Sequence, residues 1–383
     1  MNRRQEYEAS IEQSPAKYAE RVLSYADSRL EQIAPSVYSL LEVRHAVFHP
    51  EKSQLSDAIP VSDQLYDQPG YNDDVIFNAL NLRNNGVAEF HNETEKYAPQ
   101  PDDTEQLRTA KQLYRQSILT TAQDLGFVTR HDADPTEVID TRLNIQDSEL
   151  EPIDGNVEAI VVAGAAGLSN LLRVRDAIRN IESGAIDTYR IILASCDRPL
   201  SDVEKKKLID NGFTARETEV EAMQQAFTDL IGASFTDTPH TVEVPYGTDL
   251  HATINSTQAL IGNRVVIIKS VSAPFDSNRT VNGRPATRTN TAETFIAAGE
   301  LLSKDDGKVV IESHDTWIPY QEIIGQQTFG LRFGKEVVAT GPFKADRVMN
   351  GDLMQAEGVV DEISKVYKGL VELRVSAENQ LHA

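Results

Sequence analysis

The side chains with chemical potential collect just after short apolar runs. Ala159 to Ala163 leads into Gly164-Ala165-Ala166-Gly167, with Ser169 following and Arg173 and Arg175 one turn further on. A second run, 189–194, ends in Ser195-Cys196-Asp197-Arg198, and a third, 264–269, opens a long loop, 270–290, that carries Arg279, Arg284 and Arg288. A fourth, 308–312, ends in Ser313-His314-Asp315. A small-residue turn that opens a helix leaves backbone N–H groups without partners and aims the positive end of the helix dipole outward, so an anion is its natural guest. Arginine adds a planar fork of donors suited to phosphate or carboxylate. Gly164, Ala165, Gly167, Ser169, Arg173, Arg288, Asn290, Thr291 and Ser313 are therefore the candidate ligand-binding residues, and Glu219, Glu293 and His314 the candidate acids and bases.

Each of these has a plainer reading. The arginines of the loop also suit a solvated surface, and a histidine at a strand end is as often structural as catalytic. GAAG matches neither GxGxxG nor GxxxxGK[ST], so no dinucleotide or P-loop fingerprint is present. Ser313, His314 and Asp315 are consecutive, and neighbouring side chains diverge, so they are not a nucleophile–base–orienter triad. Asn290 with Glu293, and Thr214 with Glu217, have the spacing of capping boxes.

The elements that must hold these residues alternate. After a polar stretch from 127 to 156, the spacing predicts strands at 159–163, 189–194, 241–244, 264–269, 308–312 and 336–340. Helices are expected after the first strand, at 215–231, at 291–302 and at 353–370, with the last eight residues fraying. Short apolar runs between amphipathic helices are strands buried on both faces, which predicts a doubly wound, mostly parallel sheet of Rossmann-like type. Before residue 127 the period is helical: one segment from Pro15, a second beyond Pro35-Ser36, and others at 74–88 and 104–125. The expected organisation is a helical lobe and linker over 1–150 and an α/β domain over 151–383. His45 and His49 lie one turn apart, but with no third ligand in view no metal site is expected.

Composition narrows the chemistry. A net charge of −22 in 383 residues, with the acids spread along the chain, argues against nucleic acid and anionic lipid as partners. The single cysteine, Cys196, excludes an internal disulfide or a cysteine zinc site. MNRRQEYEASIEQ lacks the apolar core of a secretion signal, and no run reaches the ~18 apolar residues of a membrane helix, so a cytoplasmic location without membrane insertion is expected.

Taken in order, Val161-Val162-Ala163-Gly164 with Arg173, Thr218-Glu219-Val220-Glu221-Ala222-Met223, Thr289-Asn290-Thr291-Ala292-Glu293 and Ser313-His314 resemble the SanA/YdcF/ElyC-like bacterial domain family, over about residues 159–330. The chain departs from that pattern at Ser195-Cys196-Asp197, where a glycine pair is usual, and at Trp317 to Gln321, where an arginine is expected. The resemblance implies a Rossmann-like domain whose shared residues line one pocket, with S-adenosylmethionine or a nucleotide as the ligand. The expected function is thus a small-molecule enzyme, transferase or hydrolase, or a ligand-binding protein that takes an anionic, nucleotide-like or phosphorylated molecule over the strand ends. The rival expectation is a non-catalytic interaction protein that uses the helical lobe for a partner or for homo-oligomerisation.

Overall fold

The computed structural model describes residues 15–48, 101–124, 145–146, 152–153, 155–165, 167–235, 240–243, 251–274, 280–281, 284–285, 291–303, 307–314, 317–344 and 353–382. Two compact units emerge. One comprises residues 1–22, 136–345 and 380–383, the other 23–135 and 346–379. The division therefore crosses both ends of the chain, whereas the sequence suggested a single cut near residue 150.

Among the described residues, the second unit consists of helices: most of α1 (Pro15–Phe48), α2 (Glu105–Asp124) and most of the long helix near the carboxyl end, Leu353–Leu381. Thr104 caps α2, its hydroxyl accepting the Leu107 N–H at 3.2 Å. Pro35 does not divide α1. A proline inside a helix costs about 3 kcal/mol, but Ile33, Ala34 and Val37 around it are each at most 1% exposed, and their burial holds the helix through it. The carboxyl-terminal segment does not fray at 376; the helix runs to Leu381, with Leu373 and Ala377 buried. The side chains of His45 and His49, the predicted helix 74–88, and the loop arginines Arg279 and Arg288 fall outside the described residues.

The first unit is a mixed α/β layer structure. Its elements are β1 (Ile145–Gln146), β2 (Val157–Ala163), α3 (Leu168–Glu182), β3 (Arg190–Cys196), α4 (Asp202–Asp210), α5 (Glu219–Ile231) and β4 (His240–Glu243). There follow β5 (His251–Ile261), β6 (Arg264–Ala273), β7 (Thr280–Val281), β8 (Arg284–Pro285), α6 (Thr291–Gly299) and β9 (Lys308–Glu312). Last come α7 (Ile318–Gly325), which continues as a π-helical turn over Gln326–Gly330, then β10 (Glu336–Thr340) and β11 (Phe343–Lys344). Seven strands form one sheet in the order β10-β9-β2-β3-β6-β5-β4. The pairs from β10 to β6 are parallel; β5 is antiparallel to β6, and β4 to β5.

Helices cover both faces because side chains alternate along a strand. Ile160 and Val162 join Leu193 in packing on Leu171, Val174 and Ile178 of α3 and on Met223 and Phe227 of α5. Val161 and Ala163, with Ile192 and Ile311, pack the other way onto α6 and the π-helical turn, where Phe295 stacks on Phe329 at 5.2 Å. At the amino-terminal ends of the strands the buried Lys335 ammonium contacts Glu158 at 2.6 Å, and Arg190 reaches the same carboxylate at 3.2 Å. Burial pushes the Glu158 carboxyl up, but Lys335 and the Ser303 N–H outweigh it and leave it below the usual carboxylate range. That end of the sheet is stapled by charge; the other end carries the candidate site.

Three local expectations change. Helix α5 starts at Glu219, not near 215, since Thr218 and Glu221 form the capping box and the Pro199–Thr218 bridge keeps the preceding residues extended. Thr214 and Glu217 therefore make no cap. The stretch 202–210, for which no element was expected, is α4, opened by a Ser201–Glu204 capping box. Strand β5 has no counterpart among the predicted strands. Among the described residues no helix is long and apolar enough to cross a membrane.

Candidate functional site

The sheet reverses its winding between β2 and β9: from β2 the chain proceeds to β3 on one side, and it later returns to build β9 and β10 on the other. Loops leaving the carboxyl ends of β2 and β9 therefore diverge there, the place where open α/β sheets form crevices. The β2 loop is drawn over the sheet by the Gly164 N–H, which donates to the Ala194 carbonyl at 2.6 Å. A Cβ at Gly164 would stand 2.8 Å from both that carbonyl oxygen and Glu219 Oε1, so only glycine permits the approach. Asn170 Oδ1 accepts the Ala165 N–H at 2.8 Å and fixes the turn from the helix side. Helix α3 then starts without any side-chain cap on its N-cap residue Gly167, whereas α4 and α5 both carry capping boxes.

Arg173, His314 and Ser169 form one hydrogen-bonded chain between the two loops. Arg173 Nε donates to His314 Nδ1 at 2.8 Å, and its NH1 donates to the carbonyls of Ala163 at 2.6 Å and Gly164 at 3.1 Å. His314 Nε2 lies 3.1 Å from Ser169 Oγ, and its ring packs against Trp317 with centroids 4.8 Å apart. The direction of the chain follows from chemistry. A guanidinium only donates, so Nδ1 must accept, the neutral ring carries its proton on Nε2, and that proton is donated to Ser169 Oγ. The serine hydroxyl hydrogen is then left to donate elsewhere. His314 is thus a fixed donor to Ser169 and not a base that activates it.

These facts redistribute the expected roles. Arg173 is 2% exposed and His314 1%, so Arg173 serves as an internal anchor, not as a charge offered directly to a ligand. Ser313 is fully buried; its N–H donates to the Thr340 carbonyl at 2.8 Å, and a ligand does not reach it. Gly164, Ala165 and Ser169 keep partial exposure at the mouth, while Gly167 is buried. Glu219 belongs to a neighbouring cluster. Its Oε1 accepts from Ser195 Oγ at 3.0 Å and its Oε2 from Arg198 Nε at 3.0 Å, and Arg198 also pairs with Glu204 at 3.0 Å. Burial would lower the Arg198 guanidinium, but Glu204 and Glu219 reverse this and hold it protonated. With both oxygens engaged, Glu219 braces the β3 loop. Thr291 and Glu293 stand half-buried in the first turn of α6 and take no part in these bonds. Arg288 and Asn290 lie outside the described residues.

Beneath the chain lie three residues that the sequence reading passed over. Asp176 and Asn180 follow Arg173 on α3, and Asn180 Nδ2 donates to Asp176 Oδ2 at 3.1 Å and to Glu312 Oε2 at 3.5 Å. Glu312, the last residue of β9, has no exposure. Burial, then the neighbouring Asp176 carboxylate, pushes its carboxyl well above the usual range, against the pull of Arg173. An acid whose folded-state pKa is raised stabilises the fold below the unfolded pKa, about 4.3, and that contribution drains away as pH rises toward the folded value. Glu312→Gln is expected to flatten the stability profile above pH ~5, so that the variant loses less stability than the wild type between there and pH ~8. Denaturant midpoints of both proteins across that range check it; parallel curves count against a protonated Glu312.

An open groove of about 480 Å³ lies along α5, lined by residues including Arg216, Glu221, Gln225 and Phe235. Several of its polar groups already have partners: Arg216 bonds Gln225, Gln224 bonds Ser270, and Glu221 accepts from the N–H groups of Glu217 and Thr218. Among the described residues no cluster of three or more histidine, cysteine or acidic side chains is placed to hold a metal ion. Compared with known protein families, with curated proteins and with solved structures, the chain has no match.

Proposed function

We propose that the first unit is a Rossmann-like domain that binds an anionic small molecule, nucleotide-like or phosphorylated, over the amino terminus of α3. The observation that carries this reading is the Arg173–His314–Ser169 chain, which ties the β2 and β9 loops together beside a helix start with no side-chain cap. The donors at the mouth are neutral: helix N–H groups and a Ser169 hydroxyl whose oxygen is already occupied by His314. The charge of Arg173 lies behind them. Such a set recognises an anion through oriented dipoles, the mode that helix termini supply to phosphates and carboxylates. The direction of the His314–Ser169 bond argues against serine-nucleophile hydrolysis and favours binding, or transfer of a group carried by the ligand itself. The resemblance to SanA/YdcF/ElyC-like domains supports the same placement, with S-adenosylmethionine or a nucleotide among the ligands to try.

Calorimetric titration with adenine nucleotides, S-adenosylmethionine and sugar phosphates tests the reading. At least one is expected to bind, and Ser169→Ala to weaken it about ten-fold, the value of one hydrogen bond of about 1.4 kcal/mol. Indifference to every compound, or equal affinity in the variant, overturns it.

A further inference from the structure

Two carboxyl groups lie in the dry layer beneath the proposed mouth. Asp176 is 4% exposed and Glu312 fully buried, and the Asn180 amide bridges them. Among the described residues, the charged groups placed against them come from α3: Arg173 at 2% exposure, and Arg179, whose NH1 is 3.9 Å from Asp176 and whose side chain is 27% exposed. From the other side the backbone beyond β10 closes in, with the position of a Gly341 Cβ only 2.9 Å from Glu312 Oε1.

We infer that Asp176 and Glu312 share one proton and one negative charge and that, through Arg173, they are positioning residues that keep His314 in its Nε2–H form against Ser169. The inference rests on the anion-site reading for its purpose, but its physics stands on the buried charges alone. Two ionised carboxylates side by side in low dielectric repel strongly, and one shared proton relieves this. The remaining negative charge then matches the single fully buried guanidinium. A second positive charge next to Arg173 is disfavoured, and Arg173 Nε–H already occupies Nδ1, so the imidazole stays neutral. With Arg179 reaching the solvent edge of the layer, the fully buried charges of Arg173 and the carboxyl pair balance each other and leave His314 a permanent donor.

The test uses the full chain labelled with ¹⁵N-histidine, its imidazole signals followed by long-range N–H correlation from roughly pH 5.5 to 8.5, the window in which an ordinary histidine titrates. His314 is assigned by the signal missing from His314→Gln. In the wild type its Nε2–H pattern is expected to stay unchanged over the whole window. Glu312→Gln, a neutral mimic of the protonated acid, is expected to preserve that pattern. Asp176→Asn combined with Glu312→Gln removes the counter-charge that holds Arg173 in the core, so the uncompensated guanidinium is expected to turn out toward solvent, free His314 Nδ1 and let the ring titrate within the window. A purely structural role for the pair predicts lower thermal stability in the variants with the same imidazole pattern throughout. Titration of His314 in the wild type overturns the inference without requiring any variant to fold, as does an unchanged pattern in the double variant. No ligand is involved, so this result and that of the calorimetry fail or succeed separately.

Discussion

Arg173→Met is expected to destabilise the α/β unit by about 3–5 kcal/mol, the cost of removing one partner from a buried charged network. Methionine fills much of the volume, so the loss is electrostatic and not a cavity effect. The His314 Nδ1 atom loses its donor, and the Ala163 and Gly164 carbonyls lose the NH1 donor that tethers the β2 loop. The carboxyl pair of Asp176 and Glu312 loses its most buried cation. Arg173→Lys is expected to recover less than half of the loss, because one ammonium cannot reproduce a fork that serves an imidazole and two carbonyls at once. Hydrogen exchange of the β2 and β9 amides isolates this unit from the helical one. A loss below about 1 kcal/mol would contradict the role given to Arg173.

The second large effect belongs to Gly341, which follows β10 with φ 150°. A Cβ there would lie 2.1 Å from the Ser313 carbonyl oxygen and 2.6 Å from its carbon. Both are backbone atoms of the β9 strand end, held by the Ser313 N–H bond to Thr340, and they cannot step aside as a side chain would. Gly341→Ala combines strain of about 1–3 kcal/mol with overpacking of about the same size. The sum, about 2–6 kcal/mol, is a large share of the 5–15 kcal/mol that typically holds a domain together. Gly184→Ala is the control: its φ is 79° and nothing lies within 4 Å of the added methyl, so it is expected to cost only about 1–2 kcal/mol. Equal thermal shifts for the two variants would mean that the β9 and β10 ends are looser than the close approach implies.

Much of the fold was legible because the signals that make it are local. The runs 308–312 and 336–340 became β9 and β10 with those bounds, since a strand buried on both faces shows as unbroken apolar sequence. The elements missed were those in which a second local rule competes. Strand β5, HATINSTQALI, buries Ala252 and Ile254 in one core layer and Ala259 and Ile261 in the other, so neither an unbroken apolar run nor a clean alternation marks it, and its signal was the turn Gly262-Asn263 that pairs Ile261 with Arg264. The start of α5 was expected at the Thr214–Glu217 spacing, but the bridge from Pro199 to Thr218, a contact between distant residues, moves it to a box at Thr218–Glu221, four residues on. Pro35 signalled a helix end that the burial of its neighbours overrode.

The candidate site divides in the same way. Sequence alone placed Gly164 and His314 at strand ends, with Ser169 and Arg173 just behind the first of them, because the position of a residue after an apolar run is a local property. Which of them meet was decided by tertiary structure: the return of the chain from β6 to β9 sets His314 beside α3, 141 residues along the chain from Arg173. The same crossing turned Arg173 inward and directed the His314 proton toward Ser169, since a buried guanidinium must satisfy its donors on whatever acceptors surround it. The Asp176–Asn180–Glu312 layer left only one trace in the sequence, polar residues at 173, 176 and 180 sharing one side of the amphipathic helix. Helical spacing shows that these three share a face; only the packed sheet shows that the face looks into the core, at a carboxylate from a distant strand.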